Sequence, residues 1–237
     1  MFNNLLFISL APILIIALYI YSRDKYEKEP ISFLLRALLA GVLIVIPVVF
    51  IERFLSIPSE GLEGISNAAY TAFVVAALTE EGMKYIAFYL FFWRNRNFNE
   101  RFDGIVYAVY IALGFAGIEN ILYVFTGGYS VALVRALTAV PAHALFGIVM
   151  GYYFGMAKFY PNHRVFYLFM TFFLPFTFHG LYNFLLMGNS PFLLTMFLPL
   201  FIYFWISGFK KMSIASNASS FRKSSDDEIS AGKGFTQ

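Results

Sequence analysis

The sequence predicts an all-α, polytopic membrane protein with about seven transmembrane helices, and three observations carry that prediction. Of 237 residues, 59% are hydrophobic and 20% aromatic, more apolar side chain than a globule of this length can cover. Only 13% are charged, against roughly 25% in soluble domains. The apolar residues gather in segments of about 20, the length that crosses a bilayer core, and mean hydropathy is +0.69. An ordinary soluble enzyme, a disordered chain and a nucleic-acid binder are excluded. The net charge of +3 belongs to basic residues that orient membrane helices. With no cysteine in the chain, a disulfide framework, a thiolate metal site and a cysteine nucleophile are excluded too.

Seven segments are predicted to span: residues 2–21, 32–54, 68–92, 104–125, 130–157, 165–187 and 191–209. The first lacks a basic leading region and a small-residue cleavage site, so it reads as an uncleaved span. Pro12, Pro47, Pro141, Pro175 and Pro199 fall inside spans, where neighbouring helices satisfy the freed carbonyls. One set of connections holds Arg23, Lys25, Lys28 and Arg36, then Arg94, Arg96 and Arg101, then Lys158 and Arg164, then Lys210 and Lys211. The opposite set, 55–67, 126–129 and 188–190, contains neither Lys nor Arg. The positive-inside rule therefore places the N-terminus outside and the C-terminus in the cytoplasm. Residues 1–209 form one integral membrane domain. The Ser-rich stretch 210–237 buries too little apolar surface to order itself and is expected to be a mobile cytoplasmic tail. No internal repeat of the kind seen in two-half transporters is present.

All but three of the 17 Lys and Arg residues sit in or beside the basic connections. Arg53, one exception, adjoins Glu52 at a span end and reads as a snorkelling or surface-paired side chain. The other two, Lys84 and Arg135, lie inside spans, as do Glu80, Glu81, Glu119, His143 and His179. Each such group costs about 2.5–3.5 kcal/mol at the centre of a span, so these residues must find partners within the bundle. In TEEGMKY, Glu80 and Glu81 are a quarter-turn apart and Lys84 projects between them. One acid would suffice for an i,i+4 ion pair. The second is left over, and two close carboxylates push one proton affinity upward, as a general base or shared-proton acid requires.

Gly114, Ala116 and Gly117 around Glu119 and Asn120 admit a close helix neighbour. His143 follows Pro141, expected to open the helix beside it, and His179 and Asn183 share one face at i,i+4. At about 1.5 Å per residue, Glu80, Glu119, His143 and His179 lie about 18, 9, 20 and 12 Å from the outer ends of their spans. One polar chamber open toward the outer face accounts for that clustering. Carboxylate and imidazole can hold a water as hydrolytic nucleophile, and a donor such as asparagine can hold the tetrahedral oxyanion. The same groups can instead bind zinc through His143, His179 and Glu81 with another Glu as base. HExxH is absent, and the residues alone leave both options open.

The motifs are RDKYEKEP at 23–30, EEGMK at 80–84, FDGIVYA at 102–108, GFAGIENILY at 114–123, VRALTAVPAHALFGIVMG at 134–151 and HGLYNF at 179–184. In this order, over about residues 20–210, they resemble the PrsW family of intramembrane proteases, related to the CPBP and CAAX-prenyl-endopeptidase group. The resemblance implies a multi-pass protein of the bacterial cell membrane. It implies site-1 cleavage of a single-span membrane anti-sigma factor on the extracytoplasmic side, releasing an extracytoplasmic-function sigma factor. Glu80, Glu81, Lys84, Glu119, His143, His179 and Asn183 fall on family motif positions. Asn183 is a departure, since aspartate is expected there in near relatives and asparagine on the CAAX-protease side. Such families are described both as metalloproteases and as glutamic proteases, so the resemblance leaves zinc open beside a metal-free site.

On this reading Glu81 activates the water, and Glu80 and Lys84 tune it. His143 positions the water or delivers a proton, and His179 and Asn183 orient the water and stabilise the oxyanion. Glu119 and Asn120 complete the network, with Arg135 as a supporting residue or an ion-pair partner of Glu119. The expected partners are membrane lipid and the anti-sigma factor, without nucleic acid. Competing classes are a proton-coupled transporter or channel, which would spread its polar groups through the whole membrane thickness, and an inactive scaffold. A prenyl-protein endopeptidase would need cytoplasmic access, which the depths disfavour.

Overall fold

The computed structural model describes residues 2–222, and among these every regular element is helical. Eight α-helices follow in order: α1 (Phe2–Arg23), α2 (Ile31–Leu55), α3 (Gly64–Tyr70), α4 (Leu78–Phe91), α5 (Arg101–Leu137), α6 (Ala139–Phe159), α7 (Arg164–Met187) and α8 (Pro191–Asn217). Five segments are long and apolar enough to cross a membrane: Asn3–Arg23, Ile31–Gly61, Arg101–Phe159, Pro161–Met187 and Pro191–Asn217. The chain is thus a multi-pass membrane protein.

Two departures from the expected seven segments have plain causes. Arg101–Phe159 is 59 residues long, about 88 Å at 1.5 Å per residue, and it doubles back on itself. A Cβ added to Gly151 would lie 2.1 Å from the Gly104 carbonyl oxygen, so α5 and α6 touch backbone to backbone. The rod Gly64–Phe91 is missing from the apolar set although it is helical throughout, because it carries Glu80, Glu81 and Lys84.

The connection expected at 126–129 does hold a break: Gly128, with φ 73° and ψ −160°, is non-helical, and a further helical stretch runs beyond it to Leu137. Thr126 Oγ1 donates to the carbonyls of Leu122 and Tyr123 in the turn before that break. A second break follows at Thr138. Pro141 consequently stands in the first turn of α6, where its missing N–H costs nothing. It does not open a helix beside His143, as the sequence led one to expect. Pro12, Pro47, Pro175 and Pro199 do lie inside helices.

Between α3 and α4, residues Thr71–Ala77 form a π-helical stretch, and the Leu78 N–H donates to the Phe73 carbonyl five residues back. Such stretches rotate the downstream face and often adjoin functional positions; this one immediately precedes Glu80 and Glu81. Helix α5 is central and is buried from Phe102 to Gly117 against α1, α2 and α6. Gly114 and Gly41 let α5 and α2 cross in contact, since a Cβ at Gly114 would stand 2.0 Å from the Leu38 carbonyl oxygen. The small residues around Glu119 thus serve the close approach read from the sequence.

Residues 210–217, expected to begin the mobile tail, continue α8 instead. Met212 and Ala215 are buried, and Lys211 Nζ donates to Ser207 Oγ one turn back. The rest of the expected tail, residues 223–237, lies outside the described residues.

Candidate active site

Five helices bring the intramembrane polar residues together. Helix α4 supplies Glu80, Glu81 and Lys84, α5 supplies Glu119 and Asn120, α6 supplies His143, and α7 supplies His179 and Asn183. Glu52 comes from α2, and Arg135 from the end of α5 beyond its bend. A cavity of about 470 Å³ is lined by Glu52, Glu80, Glu119, Arg135, His143, His179 and Asn183, with apolar walls such as Val48, Phe115 and Leu186.

Lys84 is the hub. Its Nζ lies 3.2 Å from Glu80 Oε2 and 2.8 Å from Glu81 Oε1, so it projects between the two acids as their spacing predicts. It also lies 3.3 Å from His143 Nδ1 and 4.4 Å from the centre of the Phe115 ring. A lysine ammonium has no acceptor capacity, so His143 Nδ1 accepts. The proton of a neutral His143 ring then sits on Nε2, which lies 2.8 Å from Glu119 Oε2. Both ring nitrogens of His143 are thereby occupied. Arg135 Nη2 stands 3.0 Å from the same Glu119 oxygen, establishing the Glu119 ion pair weighed from the sequence. Arg135 Nε donates to Asn120 Oδ1, and Asn120 Nδ2 donates to the Ser9 carbonyl of α1.

His179 joins the other side of the hub. Its Nδ1 is 2.9 Å from Glu81 Oε1 and its Nε2 is 3.9 Å from Glu80 Oε1. Phe146 stacks on the ring, with centroids 5.2 Å apart, and fixes its plane. Glu81 and Lys84 are enclosed, whereas Glu80 faces the cavity. From the sequence, Glu81 is expected to activate the water; the helix phase after the π-helical stretch turns Glu80, not Glu81, to the cavity. His179 and Asn183 both line it, as their i,i+4 spacing requires.

Glu80, Glu81 and His179 each offer one ligand atom within 4.8 Å of the others. The metal set weighed from the sequence was His143, His179 and Glu81. The structure groups Glu80 with His179 and Glu81, because Lys84 and Glu119 hold His143. Of the two readings of Arg53, snorkelling or a surface pair with Glu52, the exposed side chain fits the first; the second concerns Glu52. It forms no ion pair with Arg53 among the described residues and lines the cavity instead, while Arg53 is exposed. Its position within the apolar pattern of α2, rather than beyond it, was the available signal.

Comparisons with known proteins converge on one group. A sequence model described as "PrsW family intramembrane metalloprotease" matches residues 29–207. "Protease PrsW" of Geobacillus kaustophilus is 44% identical over 187 residues, covering 79% of this chain and 81% of that protein. "Protease PrsW" of Oceanobacillus iheyensis is 40% identical over 213 residues, covering 90% and 96%. The protein of that name from Bacillus subtilis is 35% identical over 203 residues, covering 85% and 91%. No solved structure matches.

Proposed function

Since the chain belongs to the PrsW family of intramembrane metalloproteases, a multi-pass bacterial membrane protein and a hydrolase, we propose that it cleaves a single-span membrane anti-sigma factor at the cavity formed by Glu80, Glu119, His143, His179 and Asn183. The supporting observation is the convergence of these side chains from four helices on one cavity inside an otherwise apolar bundle. We further propose seven crossings with the N-terminus outside and the C-terminus cytoplasmic, so that the cavity serves the extracytoplasmic half of the membrane. The basic connections support that orientation.

The family description raises a metal, and the donors fit one. Two carboxylates and an imidazole with mutual ligand distances within 4.8 Å suit zinc, and Glu81 Oε2 is buried without a hydrogen-bond partner among the described residues. Glu80, Glu81 and His179 would hold the ion, which when bound would acidify a water and polarise the scissile carbonyl.

The chain's own residues supply the rest. Glu80, open to the cavity, would hold the ion through one carboxylate oxygen, and with the other it takes a proton from the attacking water as the water oxygen bonds to the carbonyl carbon. Glu80 then returns that proton to the departing amine nitrogen as the C–N bond breaks. Asn183, at the same wall, donates its amide N–H to the tetrahedral oxyanion. His179 orients the water while Glu81 holds its ring. Glu119, Lys84 and Arg135 fix His143 as a positioning residue, because both its nitrogens are spoken for.

Co-expression with single-span anti-sigma factors tests the reading, with immunoblots of wild type, Glu80→Gln and Glu81→Gln, each with and without a membrane-permeant chelator. Product from wild type and none from Glu80→Gln is expected. Loss of product with chelator and recovery with added zinc supports the metal. Equal product from wild type and Glu80→Gln overturns the assignment of the site.

A further inference from the structure

A second group of acids is packed at the opposite end of α5. Asp24 and Glu29 come from the α1–α2 connection, Glu100 is the N-cap of α5, and Asp103 lies in its first turn. All four are buried, with Asp24 and Asp103 at 0% exposure. Asp24 Oδ2 accepts the Glu29 N–H at 3.0 Å, and Asp103 Oδ2 accepts those of Asn99 and Glu100 at 2.8 and 2.7 Å. The Tyr107 hydroxyl donates to Glu29, and the Ser219 hydroxyl, beyond α8, donates to Glu100.

The remaining oxygens, Asp24 Oδ1 and Asp103 Oδ1, are buried with no hydrogen-bond partner among the described residues. An enclosed carboxylate oxygen left without hydrogen bond or counter-charge is costly. Lys28 and Lys158 attract Asp24 and Asp103 through space, but among the described residues neither bonds to them. Lys28 Nζ donates to the Tyr21 carbonyl and lies over the Tyr21 ring. Lys158 Nζ donates to the carbonyls of Trp93 and Asn95, and Arg101 lies over the Tyr160 ring. Burial raises the carboxyl of Asp24 to about 6, against the pull of Lys28, and that of Glu100 to about 7, where Asp24 and Glu27 add to the rise.

One ligand oxygen from each of Asp24, Glu100 and Asp103 lies within 4.8 Å of the others. Oxygens around a single Ca²⁺ at 2.3–2.6 Å are separated by at most about 5 Å, so the three fit one ion. An all-oxygen donor set selects hard cations over zinc or copper. We propose that Asp24, Glu100 and Asp103 form a binding site for a hard divalent cation, Mg²⁺, Ca²⁺ or Mn²⁺, which ties the α1–α2 connection to the start of α5 beneath the segment at Ser219. The site is distinct from the catalytic cavity: Asp103 and Glu119 are 16 residues apart on one helix, about 24 Å.

The test uses the full-length protein in detergent, freed of metal and titrated with Mn²⁺ while free Mn²⁺ is followed by electron paramagnetic resonance. Asp24→Asn is the informative variant, because asparagine Oδ1 still accepts the Glu29 N–H while the charge is lost. Glu100→Gln likewise keeps an acceptor for Ser219. Glu81→Gln removes a donor of the catalytic cavity and reports on that site separately. One Mn²⁺ is expected in wild type and Glu81→Gln, displaced by Ca²⁺ or Mg²⁺, with binding weakened at least about tenfold in Asp24→Asn and Glu100→Gln. Mn²⁺ binding should also raise the melting temperature of wild type and not of Asp24→Asn. Mn²⁺ bound equally by wild type and Asp24→Asn, or lost in Glu81→Gln alone, overturns the proposal. So does stabilisation of wild type by acid with no response to any of the three cations.

Discussion

His179 Nδ1 lies 2.9 Å from Glu81 Oε1, although 98 residues separate them in the chain. That contact closes α7 onto α4 and leaves Glu80 as the carboxylate that meets the cavity. The two neighbouring acids should therefore fail differently. Glu80→Gln is expected to lower the single-turnover cleavage rate by about 10²–10⁴-fold, the usual worth of a general base, with its melting temperature near wild type. Glu81→Gln should lower both rate and melting temperature, since Lys84 and His179 each lose an anionic partner. The reverse pattern would return the base to Glu81.

Lys84 is 2% exposed and stands between two carboxylates. Lys84→Met leaves both acids buried without their cation, and breaking a buried ion pair from one side costs about 3–5 kcal/mol. Adding Glu81→Gln to Lys84→Met should recover part of that loss, because one uncompensated charge is gone. Unfolding in mixed micelles measures both. Additive losses in the double variant would mean that the pair is not coupled.

How much of this was legible beforehand depended on which physical signal each residue gave. Charge inside an apolar run betrayed Glu80, Glu81, Lys84, Glu119, His143 and His179, and the structure gathers all of them. Helical spacing put Lys84 between its acids and Asn183 beside His179. Spacing could not say which acid faces the cavity, because a π-helical stretch resets the helix phase just before Glu80. Glu52 is assigned to the surface beside Arg53 on sequence grounds, because a span end offers a cheap explanation for any charge, whereas it lines the cavity. The acids at 24, 29, 100 and 103 escaped because connections were weighed for their cations. Gly128 breaks α5 inside the connection expected at 126–129, but the apolar run could not show the second break at Thr138.

Asn120 tests whether the network around Glu119 serves stability or the site. It donates to the Ser9 carbonyl and accepts from Arg135, whose guanidinium meets Glu119. Asn120→Ala and Asn120→Asp both lose the donation to Ser9. The lost hydrogen bond is worth about 0.5–1.5 kcal/mol, so both variants should melt lower than wild type. Only the aspartate keeps a partner for Arg135. Cleavage by Asn120→Asp should therefore exceed that by Asn120→Ala at a temperature where both are folded. Equal rates would confine Asn120 to holding α1 against α5.

The crossing of α2 and α5 links packing to the cavity. Glu52 and Val48 on α2 and Phe115 and Glu119 on α5 line it together, and the spacing of the two helices is set where Gly41 meets Gly114. At Gly114 a Cβ would fall 2.0 Å from the Leu38 carbonyl oxygen, a backbone atom that cannot swing aside. Gly114→Val must push the helices apart, and overpacking of this kind costs about 1–3 kcal/mol or more. Separation also moves one cavity wall relative to the other, so cleavage should fall more steeply than the fraction of folded protein does. Gly61→Ala is the matched control, since a Cβ there meets nothing within 4 Å, and it should cleave and melt like wild type. If Gly114→Val loses stability but keeps the wild-type rate per folded molecule, the crossing sets the fold and not the site.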